Sequence, residues 1–319
     1  LALTHVPAEA AVEIDHWLGG GNWLAEPLAG DASVRSYFRV HRSNGQTFIL
    51  AYYPPLVREG LGRFLNAYDA LCGVVPVPAV LEHGESTVLQ QDVGNLSLAL
   101  LFERDKTAAI ERYREAAALL ATFDGAGEAG RSVNPAFDQA KFLEELDMTR
   151  RFYVEELAGG DGRRLEEPFS RLAERLTAHP YTLCHRDFHG HNLFLFNRQL
   201  YVIDYQDMRM GPDMYDLASL LRDRGVWKGI GPELESVLVA ARAEVLCEEL
   251  SVVRRRYLEA LLQRSIKAIG TFARLVVVNG RRRYLAYIGT TLETVRECAH
   301  ELDEWQDLTA LFPFEFENR

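Results

Sequence analysis

The spacing of apolar residues along this chain changes character near residue 92. In residues 7–18, Ala11, Ile14 and Leu18 recur at helical spacing between acids, and three glycines from Gly19 stop the run. Residues 23–29, 34–42 and 46–53 instead form a β-rich stretch and read as three strands. The turn Ser43-Asn-Gly45 joins the second of these to the third. A helix is predicted over 56–72, with Leu61, Phe64, Leu65 and Tyr68 on one face, and strands over 77–81 and 87–91. These make a sheet of about five strands, ending at Asp92-Val-Gly94.

Beyond Leu96 the pattern is helical. Ile110, Tyr113, Ala117 and Leu120 line one face of a helix ending near Asp124, and residues 125–134 read as a small polar loop. Further helices are predicted over 137–157 and 168–178, from Gly211-Pro212 along Met214, Leu217, Ala218 and Leu221, onward through Val278, and from 283 to about 307. A hairpin interrupts them: residues 193–196 and 200–203 are bulky apolar runs split by Asn197-Arg-Gln199. The expected architecture is α+β and bilobal, with a small β-rich lobe over 1–93 and a large, mostly helical lobe over 94–319.

Composition narrows the function. The 319 residues carry a net charge of −11, which argues against nucleic-acid binding, since that needs a basic face. Hydrophobic residues at 48% fit a globular core, and no apolar run has the length of a membrane span; 272–278 is broken by Arg274. The first residues show no basic segment followed by an apolar core, so a cytoplasmic protein is expected. Cys72, Cys184, Cys247 and Cys298 lack metal-ligand spacing and read as reduced thiols.

The chemistry concentrates in His185-Arg-Asp187-Phe-His189-Gly-His-Asn192 and in Asp204 at the far end of the hairpin. A hairpin can return Asp204 to the side of Asn192. One carboxylate and one carboxamide suit magnesium on a nucleotide triphosphate, and a further carboxylate can orient and deprotonate an attacking hydroxyl. Asp187 is the candidate base, Asn192 and Asp204 the candidate metal ligands. A buried Asp and Asn bracing an irregular loop is the alternative for such residues singly. Their combined spacing favours phosphoryl transfer. The small residues Gly30, Asp31, Ala32 and Ser33, between the first two strands, let backbone amides approach phosphates, although an ordinary hairpin turn would use the same residues. His185 and His189 read as hydrogen-bonding braces rather than zinc ligands. The runs Arg254-Arg-Arg256 and Arg281-Arg-Arg283 read as solvated.

Those motifs, with Gly211-Pro-Asp-Met-Tyr-Asp216-Leu-Ala, resemble the aminoglycoside phosphotransferase and choline kinase superfamily, which has a protein-kinase-like fold. Gly30-Asp-Ala-Ser-Val-Arg35, Tyr215-Asp-Leu-Ala-Ser-Leu-Leu-Arg-Asp223 and Ile266-Lys-Ala-Ile-Gly-Thr-Phe-Ala-Arg-Leu275 extend the likeness toward the bacterial anomeric N-acetylmuramate/N-acetylglucosamine kinases. The resemblance implies transfer of the ATP γ-phosphoryl group, with Mg2+, to the anomeric hydroxyl of a cell-wall sugar. It implies backbone recognition of adenine around Gln91 and Val93, and a bracing role for Asp216. The superfamily's third-strand Lys is missing from Gln46-Thr-Phe-Ile-Leu-Ala-Tyr-Tyr53, which leaves Arg35 or Arg39 as candidate phosphate cations. Arg222 and Arg224 are candidates for an acceptor carboxylate, as are Arg150 and Arg151; surface charges would look the same. A kinase of another small hydroxyl compound and a nucleotide-binding pseudokinase stay open. A protein kinase is disfavoured, because Tyr205-Gln206 follow Asp204 where Phe-Gly would stand. No obligate protein partner is evident.

Overall fold

The β-rich segments assemble into one antiparallel sheet. The computed structural model describes residues 6–20, 22–28, 35–223 and 226–313. Helix α1 (Ala8–Trp17) precedes strands β1 (Trp23–Leu28), β2 (Ser36–Arg42) and β3 (Thr47–Tyr52). After helix α2 (Glu59–Leu71), β4 (Val80–His83) and β5 (Thr87–Gln91) complete the order β1-β2-β3-β5-β4. Pairing runs from Ser36 opposite Tyr52 to His41 opposite Thr47, and Gly45 takes φ 85° at the turn, a conformation cheap for glycine alone. Ala10 and Ile14 of α1 pack on Phe38, Val40, Leu50 and Leu89, so one sheet face is closed. The period of two sends Arg35, Tyr37 and Arg39 to the other face. There Ala51 and Tyr53 join the main core.

The helical part opens with α3 (Leu98–Arg104) and α4 (Lys106–Leu119), whose first turns are capped by Ser97 and Asp105. Where a loop was expected over 125–134, a 3-10 segment (Leu120–Ala126) leads into the short helix α5 (Gly127–Arg131). Buried Phe123 and Ala126 tie that Gly-rich stretch down. Helix α6 (Gln139–Met148) runs into a π-helical turn (Thr149–Leu157). Helix α7 (Glu166–Thr177) starts before Pro168, which fits its first turn because no amide donor is needed there.

Two small ribbons follow. Strand β6 (Tyr181–Cys184) pairs with β9 (Arg209–Pro212), and β7 (Leu193–Phe196) with β8 (Gln199–Val202). Because Gly211 and Pro212 are taken into β9, the next helix, α8 (Tyr215–Leu221), begins at Tyr215 rather than at Gly211. Helix α9 (Trp227–Leu246) is interrupted at Gly231, φ 76°, before Pro232. Then come α10 (Leu250–Val277), α11 (Leu285–Glu301) and α12 (Gln306–Leu311); the expected single helix over 283–307 breaks at Leu302. The 254–256 run is only partly solvated. Arg256 is buried against Asp213 (2.8 Å) and Glu248 (2.6 Å).

Candidate active site

The candidate catalytic loop is built on the β6–β9 ribbon and braced from α8. Asp216, itself buried, accepts the backbone amides of His185 (2.5 Å) and Arg186 (2.9 Å). That pair of charge-assisted bonds stabilises Arg186 at φ 80°, a left-handed conformation unfavourable for a branched-off side chain. The His185 ring reaches the Ile203 carbonyl through Nε2 at 2.9 Å and lies edge-on to Phe123 and Phe188, so it brackets the loop against the hairpin strand. Gly190 is a close-approach glycine: a Cβ there would lie 2.5 Å from the Tyr113 hydroxyl and 3.0 Å from the Ala99 amide nitrogen.

The hairpin brings Asn192 and Asp204 together. Leu193 pairs with Val202, and the Ile203 amide donates to the Asn192 carbonyl at 3.0 Å, which sets Asp204 immediately beyond Asn192. The Asn192 side-chain amide donates to the Asp187 carbonyl at 2.9 Å, leaving its Oδ1 for a cation. Asp204, at φ 64°, is half exposed; its Oδ1 accepts from Gln206 (2.9 Å) and Arg35 (3.3 Å). A carboxylate and a carboxamide oxygen fit magnesium, which keeps waters and phosphate oxygens as its other ligands. Among the described residues no three His, Cys, Asp or Glu side chains converge as a metal cluster.

Asp187 lies beside Asn192 and faces a cationic wall. Burial opposes its ionisation, but Lys267, Arg264 and Arg186 more than offset that and leave it well below the usual carboxylate range. Burial lowers His189, which leaves it neutral near pH 7, and raises the Cys184 thiol, which excludes it as a thiolate nucleophile. The wall comes mainly from α10. Arg264 donates to the Arg186 carbonyl (2.5 Å) and to Ser219 Oγ (2.6 Å), with its guanidinium 4.5 Å from the Tyr215 ring centroid. Buried Glu145 of α6 collects Arg186 (2.9 Å), Gln263 (3.0 Å) and Lys267 (3.4 Å). Glu145, Arg264 and Lys267 were not among the sequence candidates. Their one signal was charge on an otherwise apolar helix face.

The nucleotide-side candidates separate. Arg35, on the open sheet face, reaches Asp204 and lies 5.8 and 5.7 Å from the Tyr37 and Tyr53 ring centroids. Arg39 does not face a phosphate position. It is buried in the linker, donating to Asp92 (2.7 and 3.2 Å), Asn95 (2.7 Å) and the Gly94 carbonyl (3.4 Å). Gln91 spends its amide on the Ala79 carbonyl at 2.8 Å, whereas the Val93 backbone takes no hydrogen bond among the described residues. Gly30, Asp31, Ala32 and Ser33 lie outside the described residues, as does Arg224. Arg222 is no acceptor ligand: it is buried in pairs with Glu235 (2.8 Å) and Glu297 (2.6 Å). Arg150 likewise pairs with Asp147 and Glu155, both at 2.6 Å. Arg151 is mostly exposed, 3.5 Å from Glu156.

Comparison with known proteins sets this geometry in context. Residues 25–257 match the phosphotransferase enzyme family. An N-acetylmuramate/N-acetylglucosamine kinase of Neisseria meningitidis serogroup B is 31% identical over 303 residues, covering 89% of this chain and 88% of that one. Its namesake in Pseudomonas aeruginosa is 28% identical, with 90% and 88% covered. Among solved structures, an ADP-bound aminoglycoside phosphotransferase superposes with a TM-score of 0.62 at 14% identity, covering 92% of this chain and 99% of that one. A choline/ethanolamine kinase family protein from Mesorhizobium loti gives 0.63 at 18% identity, with 95% and 97% covered. These structures share the bilobal kinase-like fold with this chain.

Proposed function

Because the chain belongs to the phosphotransferase enzyme family, we propose that it is an ATP-dependent sugar kinase acting on the anomeric hydroxyl of N-acetylmuramate or N-acetylglucosamine, the sugars in its relatives' names. The observation that carries this reading is the placement of Asp187 beside Asn192, with Asp204 brought next to Asn192 by the hairpin. The Asp187 carboxylate accepts the proton of an attacking hydroxyl, and an anomeric hydroxyl gives that proton up more readily than an ordinary alcohol does. Asp187 orients that hydroxyl toward the γ-phosphoryl group, while the Asp216 bonds fix the loop that carries it. Magnesium, held by Asn192 Oδ1 and the Asp204 carboxylate, would offset charge on the phosphates. Arg35 supplies the cation that a third-strand Lys supplies elsewhere, and the Val93 backbone receives adenine. In this reading residues 1–93 cover the nucleotide and 94–319 carry the catalytic loop and the acceptor.

The place of such a reaction is the cytoplasm, in recycling of cell-wall sugars. The test is ATP turnover against a panel of sugars, aminoglycosides and choline, with the product identified by phosphorus NMR. A sugar 1-phosphate from either N-acetyl sugar is the expected product. Turnover on another acceptor alone would reassign the substrate, and nucleotide binding without transfer to any acceptor would make the chain a pseudokinase.

A further inference from the structure

The cations behind Asp187 are not all accounted for. Arg186 and Arg209 both lie against the Phe137 ring, their guanidinium carbons 5.6 and 5.4 Å from its centroid. The β6–β9 register explains why: Arg209 stands opposite Cys184, two residues before Arg186. Arg186 spends one Nη on Glu145 (2.9 Å), and Glu145 is already shared with Lys267 and Gln263. Arg209 has no hydrogen bond and no ion pair among the described residues; Glu145 and Asp207 act on it only through space. The Nε of Arg186 and the Nε of Arg209 are both buried without a partner.

Placing two guanidiniums side by side with unsatisfied donors costs free energy unless an anion completes the arrangement. A planar guanidinium fork matches a carboxylate in particular. The site adjoins the candidate base Asp187 through Arg186, whose charge acts on that carboxylate, and this neighbourhood assigns its anion to the acceptor.

We propose that Arg209, with Arg186 beside it, binds a carboxylate of the acceptor: the lactyl ether carboxylate that N-acetylmuramate has and N-acetylglucosamine lacks. This rests on the sugar-kinase reading above and adds the basis for choosing between the two sugars. The carboxylate sits a short span around the ring from the anomeric hydroxyl, as Arg209 sits a short span along the ribbon from Asp187.

The experiment compares kcat/KM for N-acetylmuramate, its uncharged methyl ester and N-acetylglucosamine in the wild type, Arg209→Met and Arg209→Lys, each checked for folding by thermal melting. In Arg209→Met the ratio of N-acetylmuramate to N-acetylglucosamine kcat/KM is expected to fall at least tenfold, about 1.4 kcal/mol. The fall should sit in KM. Arg209→Lys, which keeps charge without the fork, should lose less, and it carries the test if the Met variant does not fold. The methyl ester should show no such fall. An unchanged ratio, or an equal fall for the ester, overturns the proposal. A wild type that phosphorylates neither sugar refutes the function itself, and this proposal with it, before any variant is needed.

Discussion

Replacing Asp216 should separate loop bracing from chemistry. Its carboxylate takes two backbone amides, from His185 at 2.5 Å and Arg186 at 2.9 Å, and it is 5% exposed. Hydrogen bonds to a charged partner contribute about 1.5–3 kcal/mol each, and an orphaned buried donor costs about 1–3 kcal/mol. Asp216→Asn keeps one acceptor oxygen and turns an NH2 toward the other amide, so it should lose about 1.5–3 kcal/mol. Asp216→Ala orphans both amides and should lose roughly twice that, a large share of the ~5–15 kcal/mol stability of an ordinary domain. For a chain of this size the Asn change corresponds to about 2–4 °C in melting temperature. The released Arg186 would relax from φ 80°, moving Asp187 with it. Turnover should therefore drop at least tenfold in Asp216→Asn, with the KM for ATP little changed, because no nucleotide-side residue is touched. Calorimetry and a coupled ADP-release assay on the same preparations read both quantities. An Asn variant that melts with the wild type and turns over normally would show that the two amides need no carboxylate, and the bracing argument would fail.

Three further outcomes follow from the geometry. Asp187→Asn should lower turnover ~10²- to 10⁴-fold while nucleotide affinity, measured by calorimetric titration, stays near wild type; near-normal turnover would remove it as the base. Arg35→Ala should raise the KM for ATP at least tenfold, about 1.4 kcal/mol, whereas Arg39→Ala should chiefly lower the melting temperature, since it strands buried Asp92; the reverse pattern would put Arg39 on the phosphates. Glu259 is buried against His179 (2.6 Å) and Arg175 (3.0 Å); burial opposes its ionisation, but these partners leave it below the ordinary carboxylate range. A depressed folded value means stability that is present above the unfolded value, about 4.3, and lost as pH falls through the folded one. The melting-temperature gap between wild type and Glu259→Gln should thus narrow as pH is lowered from about 6 to about 3, and a constant gap would refute the linkage.

What was legible in the chain was whatever depends on near neighbours. The β2–β3 hairpin announces itself through the turn signal Ser43-Asn44-Gly45, and the Asn192–Asp204 juxtaposition follows from one short hairpin. Less visible was anything set by distant packing. The strands β6 and β9 have four residues each and meet across a long separation, so β9 read as the start of a helix. Arg39 read as a phosphate cation because strand period fixes only its face; Asp92 and Asn95, more than fifty residues on, decide its partner. Glu145, Arg264 and Lys267 were hidden in the same way. A polar residue on a long helix looks solvated until the helix packed against it is known.

The service that α10 performs for Asp187 has a consequence in time. The candidate catalytic loop is complete by Asn192, but the groups that set its electrostatics, Arg264 and Lys267, enter the chain some seventy residues later. During synthesis, which proceeds from the N-terminus, a ribosome-bound chain that already displays the whole motif still lacks its counter-charges. Enzymatic competence therefore arrives late and all at once. A message truncated between Asp204 and α10 would yield a product that carries the signature of a kinase without the means to act as one.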